Sequence, residues 1–161
     1  MKTFFIPFLI LMTMASIPVR AQVKCISFNI RYGLADDGEN SWPHRKHLVF
    51  EFINDQRPDF LGLQEALLFQ IDEILDHCPG YVYTGRSREK DASRGEATPI
   101  LYQPDTWELL EHGTLWLSET PEVPASESWN TALPRIFTWA RFKRKEDGRE
   151  IVIYNTHYDH V

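Results

Sequence analysis

Three polar side chains stand where apolar runs of this sequence come to an end. Asn29 closes the run VKCISF, Glu65 closes DFLGLQ, and His157 follows EIVIYNT. A polar residue at the end of a buried strand is held by a rigid element yet faces a cleft, which is where α/β architectures bind ligands. The three offer an amide for hydrogen bonding, a hard oxygen donor, and a ring that titrates near neutral pH. His157 also belongs to a cluster with Asp159 and His160, three titratable groups within four residues, which argues for a site more strongly than one isolated histidine would. Local sequence leaves other roles open: Asn29 suits the start of a turn, and Glu65, directly ahead of a helix, suits its positive end.

The elements that must position these groups are legible from periodicity. Residues 23–29 have the β-branched and aromatic content of a buried strand, and the loop RYGLADDGENS follows. Ser41 fits a helix N-cap and Pro43 a first turn; Leu48, Val49, Phe52 and Ile53 then recur at helical spacing until Arg57-Pro58 ends the pattern. Residues 59–65 (DFLGLQE) are almost wholly apolar, as expected of a strand covered on both faces. A second helix is predicted with a stripe of Leu67, Leu68, Ile71, Ile74 and Leu75, broken by His77-Cys78-Pro79-Gly80. Strands are predicted at 81–84, 99–102, 107–110, 114–117, 136–142 and 150–156. Helices early and strands late imply sheets with helices packed outside. Two long loops, a charged one at 86–97 and a proline- and serine-rich one at 118–134, have the length of loops that are commonly functional.

The chain opens with an apolar run from Phe4 to about Met14, and Val19-Arg20-Ala21 has the residues of a signal peptidase site, so a leader over 1–21 and cleavage after Ala21 are expected. That places the protein outside the cytoplasm, in the periplasm or beyond, with no membrane association after cleavage. Of 17 basic residues, Lys2 and Arg20 leave with the leader; 15 remain against 23 acidic ones, a net charge of −8. Such a surface disfavours long polyanions, whose binding rests on lysine and arginine. Within loop 86–97, Arg86, Arg88, Lys90 and Arg94 could begin a basic groove, but Glu89, Asp91 and Glu96 are interleaved with them, the pattern of a solvated loop. Cys25 lies in an apolar strand and reads as a buried thiol, although an exported protein could also bridge it to Cys78.

The ordered series CISFNIRY, WPHRKHLVFEFINDQRPDFLGLQEAL, GEATPILY, GTLWLSETPEVP, LPRIFTWARF and IVIYNTHYDHV resembles the secreted bacterial branch of the endonuclease/exonuclease/phosphatase superfamily. The resemblance covers everything after the leader, which makes residues 22–161 the N-terminal part of such a domain. It implies a deoxyribonuclease-like α/β sandwich, two mostly antiparallel sheets face to face with helices outside, of which about the first half is present. It assigns Asn29 to the phosphate and metal site, Glu65 to the catalytic divalent cation, His157 to the scissile phosphate, and Asp159 and His160 to an extension of the same motif, Asp159 as a catalytic residue and His160 as a phosphate contact. Arg135, in LPR, is assigned to phosphate contact, and Arg45, in WPHR, looks like a recurring family position.

The implied reaction is hydrolysis of a phosphoester or phosphodiester with magnesium, or manganese in its place. The chemistry explains the residue types: an anionic ester resists attack until its phosphoryl charge is neutralised, and magnesium is typically held by one or two carboxylates. A nearby carboxylate such as Asp159 would favour a protonated His157. Family members also carry a GDxN-type segment and a closing Asp-His pair, neither of which this sequence contains, so the chain alone is expected to be inactive. The acidic surface favours a small phosphorylated substrate; an exported nuclease and a non-catalytic binding domain on the same fold are the alternatives.

Overall fold

The computed structural model describes residues 22–159; the expected leader at 1–21, together with His160 and Val161, lies outside the described residues. The first unit is a crossover of β1 (Cys25–Asn29), α1 (Trp42–Gln56) and β2 (Phe60–Gln64), in which the two strands run parallel with Asn29 opposite Gln64. Parallel neighbours require a long connection, and α1 supplies it. The helix starts after an extended Ser41 and ends at Arg57, which takes a left-handed conformation (φ 42°) just ahead of Pro58. Its buried residues are Trp42, Val49, Phe50 and Ile53. Leu48 and Phe52, expected on that face, are 57% and 39% exposed. The indole of Trp42 donates to Glu73 at 2.7 Å, which turns its side of α1 toward the neighbouring helix α2 (Leu68–His77).

A four-stranded sheet is completed by β3 (Val82–Thr84) and β4 (Ile100–Tyr102), in the order β1-β2-β4-β3. The second sheet is an antiparallel meander of β5 (Trp107–Trp116), β6 (Ile136–Arg144) and β7 (Glu150–Thr156). Where two strands are predicted over 107–117, the structure has one, with a bulge between Leu109 and Glu111. His112-Gly113 reads as a break but continues the strand, because Gly113 leaves room for the indole of its cross-strand partner Trp139, whose Nε1 lies 2.7 Å from where a Cβ would sit.

β2 is the keel of the molecule. Its side chains alternate: Leu61 and Leu63 pack with Ile53, Ile71 and Ile74 under the helices, while Phe60 packs with Trp107, Ala140 and Phe142 of the second sheet. The arrangement is therefore helices, mixed sheet, antiparallel sheet, the α/β sandwich expected from the sequence. Cys25, expected inside, is exposed: β1 is an edge strand, and the thiol borders an open groove toward β7. Cys78 is buried, and both cysteines are free thiols.

Candidate active site

The strand ends converge. Asn29 and Gln64 are register partners at the same end of the first sheet, so Glu65, one residue on, stands beside Asn29, whose Nδ2 donates to Glu65 Oε1 at 2.8 Å. In the second sheet, Phe137 pairs with Thr156, and this register sets Arg135, just before β6, beside His157, just after β7. The two sheets bring the pairs together: His157 Nε2 lies 3.5 Å from Asn29 Nδ2 and 3.9 Å from Glu65 Oε1. A cleft of about 390 Å³ opens over them, lined by Arg31, Tyr32, Glu65, Arg88, Glu96, Leu133, Arg135 and His157.

Glu65 is the most constrained group. Its backbone is left-handed at φ 57°, a conformation that costs a non-glycine residue about 1–3 kcal/mol and is retained where the surroundings fix it. Its second oxygen accepts from the Tyr32 N–H at 2.8 Å. Burial pushes its carboxyl up, but the hydrogen bonds from Asn29 and Tyr32 and the nearby His157 and Arg31 outweigh burial and hold it below the usual glutamate value. The carboxylate is thus kept ionised, as a cation ligand must be. Asn29 is fixed as well: its side-chain oxygen accepts from the Arg31 N–H at 2.8 Å, which leaves its NH₂ for Glu65. Asn29 thereby orients the carboxylate.

The loop after β1 is held from two sides. Arg45 donates to Ile30 O at 2.6 Å and Arg31 O at 3.3 Å while its guanidinium stacks on Trp42. Buried Gln70 accepts from Gly33 N and donates to Arg31 O, both at 3.1 Å. Arg45 is therefore a brace for the loop and does not itself line the cleft.

His157 and Asp159 do not pair. Asp159 accepts from Arg135 Nη2 at 2.7 Å and from Ala132 N at 3.0 Å. Arg135, which is 3% exposed, stands between them, with Nη1 3.4 Å from His157 Nδ1. A guanidinium can only donate, so Nδ1 accepts and Nε2 carries the proton; the acceptor on that side is Glu65 Oε1, since the Asn29 amide nitrogen is itself a donor. The carboxylate nearest the imidazole is Glu65, in place of the expected Asp159. His160 lies outside the described residues.

Two features escaped the sequence reading. The first is Asn155, a buried residue of β7 that accepts from Gln64 Nε2 at 2.6 Å and donates to Leu63 O at 2.7 Å and Pro99 O at 2.8 Å. It pins the strand carrying His157 to the strand carrying Glu65, and it approaches so closely that a Cβ on Gly62 would lie 2.7 Å from its amide. The second is loop 86–97, read as solvated. Ala97 N donates to Ala66 O at 2.8 Å and Arg88 N to Glu96 O at 2.9 Å, folding the loop back over the site and burying Arg88 to 9% exposure. Of its four cations, Lys90 and Arg94 are exposed, Arg86 is half-buried and Arg88 is buried.

No family model matches the chain. Solved structures do. An endonuclease/exonuclease/phosphatase from Bacteroides vulgatus is 38% identical, with a TM-score of 0.83, over 86% of this chain and 53% of its own. A mannosyl-6-phosphatase from Bacteroides thetaiotaomicron is 34% identical, with a TM-score of 0.83, over 87% of this chain and 53% of its own. The chain has the endonuclease/exonuclease/phosphatase fold. D. rerio TDP2, solved with a single-strand DNA product, shares that fold at 17% identity and a TM-score of 0.66, over 86% of this chain and 47% of its own. An uncharacterised protein of Acanthamoeba polyphaga mimivirus is 27% identical over 148 residues, 85% of this chain and 54% of its own length. The chain spans about half the length of each of these relatives.

Proposed function

We propose that the whole protein hydrolyses phosphoester bonds of small phosphorylated substrates outside the cytoplasm, using one divalent cation, magnesium or manganese. The carrying observation is the convergence of the Glu65 carboxylate with Asn29 and His157, at 2.8 Å and 3.9 Å, with Glu65, His157 and Arg135 lining one cleft. Glu65 fits a magnesium ion: a single ionised, oriented carboxylate on a strained, fixed backbone suits a cation that keeps most of its water. When bound, the cation neutralises phosphoryl oxygens and lowers the pKa of bound water.

The chain's own residues do the rest. Asn29 and Tyr32 N–H hold the carboxylate in one orientation. His157, with its proton on Nε2, donates a hydrogen bond to a phosphoryl oxygen, which is worth most as charge builds there on attack by water. Arg135 fixes the imidazole through Nδ1 and is itself fixed by Asp159.

A small substrate is favoured over a nucleic acid by the net charge of −8, from 15 basic against 23 acidic residues after the leader, and by the burial of Arg88 within its loop. The mannosyl-6-phosphatase relative, which is 34% identical, supports the same choice. The test is phosphate release by the whole protein in magnesium from a sugar phosphate, a generic phosphodiester and single-stranded DNA. Glu65→Gln is expected to lower turnover by more than about 100-fold, the scale of losing a preorganised charged group. Retained activity in that variant, or DNA as the preferred substrate, would refute the reading.

A further inference from the structure

The cleft has a second wall that the hydrolytic reading leaves unused. Arg88 and Glu96 line it together with Glu65, Arg135 and His157. Arg88 Nη1 donates to Glu96 Oε2 at 3.0 Å, and the two side chains are 11% and 18% exposed. Buried Arg88 Nε has no hydrogen-bond partner among the described residues. The pair is rigidly mounted: Trp116 Nε1 donates to Arg88 O at 2.7 Å, and Arg88 N bonds Glu96 O across the loop.

A phosphate would not select this wall. Glu96 already offsets the Arg88 charge, and a carboxylate facing a phosphoryl group repels it. A neutral hydroxyl suits both partners, because a carboxylate only accepts and a guanidinium only donates, whereas a hydroxyl does either. We propose that Arg88 and Glu96 are a substrate-binding pair that reads hydroxyl groups on the part of the substrate bonded to the phosphate, so that polyhydroxylated phosphate esters of the sugar phosphate class are preferred to apolar ones. This rests on the reading of Glu65 and His157 as the phosphate end of the cleft. A wall so placed rejects an apolar leaving group, since binding one would desolvate the ion pair without replacing its hydrogen bonds with water.

The test compares kcat/KM of the whole protein in magnesium for glucose 6-phosphate and for phenyl phosphate, with inhibition by inorganic phosphate measured alongside. In Glu96→Gln, and separately in Arg88→Gln, the ratio of the two kcat/KM values is expected to fall at least about tenfold, mainly through KM for glucose 6-phosphate, as befits one hydrogen bond to a charged group. A ratio unchanged in both variants, with inorganic phosphate still inhibiting, overturns the inference and leaves the phosphate site standing. A wild-type protein that neither releases phosphate nor binds it overturns both.

Discussion

Gly62 and Asn155 allow the packing between the sheets to be tested directly. A Cβ placed on Gly62 would lie 2.7 Å from Asn155 Cγ and Oδ1, closer than real side chains approach. Asn155 cannot swing aside without giving up bonds of 2.6, 2.7 and 2.8 Å to Gln64, Leu63 and Pro99. Forcing an extra methyl into such a site costs about 1–3 kcal/mol. Gly→Ala at a permissive backbone returns about 0.4–1 kcal/mol through the unfolded chain. Gly62→Ala should therefore destabilise by about 1–2 kcal/mol. Asn155→Ala loses the three bonds, at about 0.5–1.5 kcal/mol each, and should cost about 2–4 kcal/mol. In the double variant the nearest remaining atom is Asn155 Cβ, 3.2 Å away, which a small shift relieves. There Gly62→Ala should be neutral or stabilising, a coupling of about 1–3 kcal/mol. Urea unfolding followed by tryptophan fluorescence, at constant m-value, measures all four corners of the cycle. Effects that add to within about 0.5 kcal/mol would show that the amide does not set the spacing between the sheets.

Three further outcomes are expected. A thiol reagent at neutral pH should label exposed Cys25 in the native protein and reach Cys78, which burial pushes up to about 11, only after unfolding; an unreactive Cys25 restored by reductant would mean a bridge. Asp147, bonded by the Arg144 side chain and by Arg149 N–H, is held at about 2 against an ordinary 3.8, so its contribution is full above 3.8 and is lost as pH falls through about 2. The difference in urea midpoint between wild type and Asp147→Asn should accordingly shrink from about pH 5 to about pH 2, and a constant gap would refute the assignment. Arg135→Gln removes the 2.7 Å bond to Asp159, which keeps the Ala132 N–H, and should cost about 1.5–3 kcal/mol in urea unfolding, the scale of a hydrogen bond between charged groups; a loss under about 1 kcal/mol would place Arg135 outside the framework.

What the sequence disclosed, and what it hid, divides along local and non-local physics. Asn29, Glu65 and His157 were visible because each ends an apolar run, and strand ends point into clefts whatever the rest of the fold does. Helix α1 is placed by its spacing, and Val49 and Ile53 are buried as expected while Leu48 and Phe52 are exposed: the buried face is rotated toward Trp42 and Phe50, and Trp42 bonds Glu73 across 31 residues, a contact that periodicity does not contain. Cys25 was read as buried from composition, which cannot tell an edge strand from a central one. Loop 86–97 alternates charges as a solvated loop does, and its return over the site depends on the Ala66–Ala97 bridge, invisible to any window of sequence.

The pairing of Gln64 with Asn155 gives that division a chemical meaning. Glu65 follows Gln64 directly and His157 follows Asn155 by two residues, so the proposed cation ligand and the proposed phosphate donor hang from the two ends of a single 2.6 Å bond between the sheets. The separation of 3.9 Å between imidazole and carboxylate therefore rests on packing between the layers, since each residue hangs from a different sheet, together with the local braces that Arg135 gives the imidazole and Asn29 and Tyr32 give the carboxylate. A preorganised site needs its groups held within about 0.5 Å of their working positions. A buried, fully satisfied amide pair can do this where an exposed ion pair, free to rotate, cannot. Gly62 follows as a requirement: it is the residue whose missing side chain lets Asn155 reach Gln64.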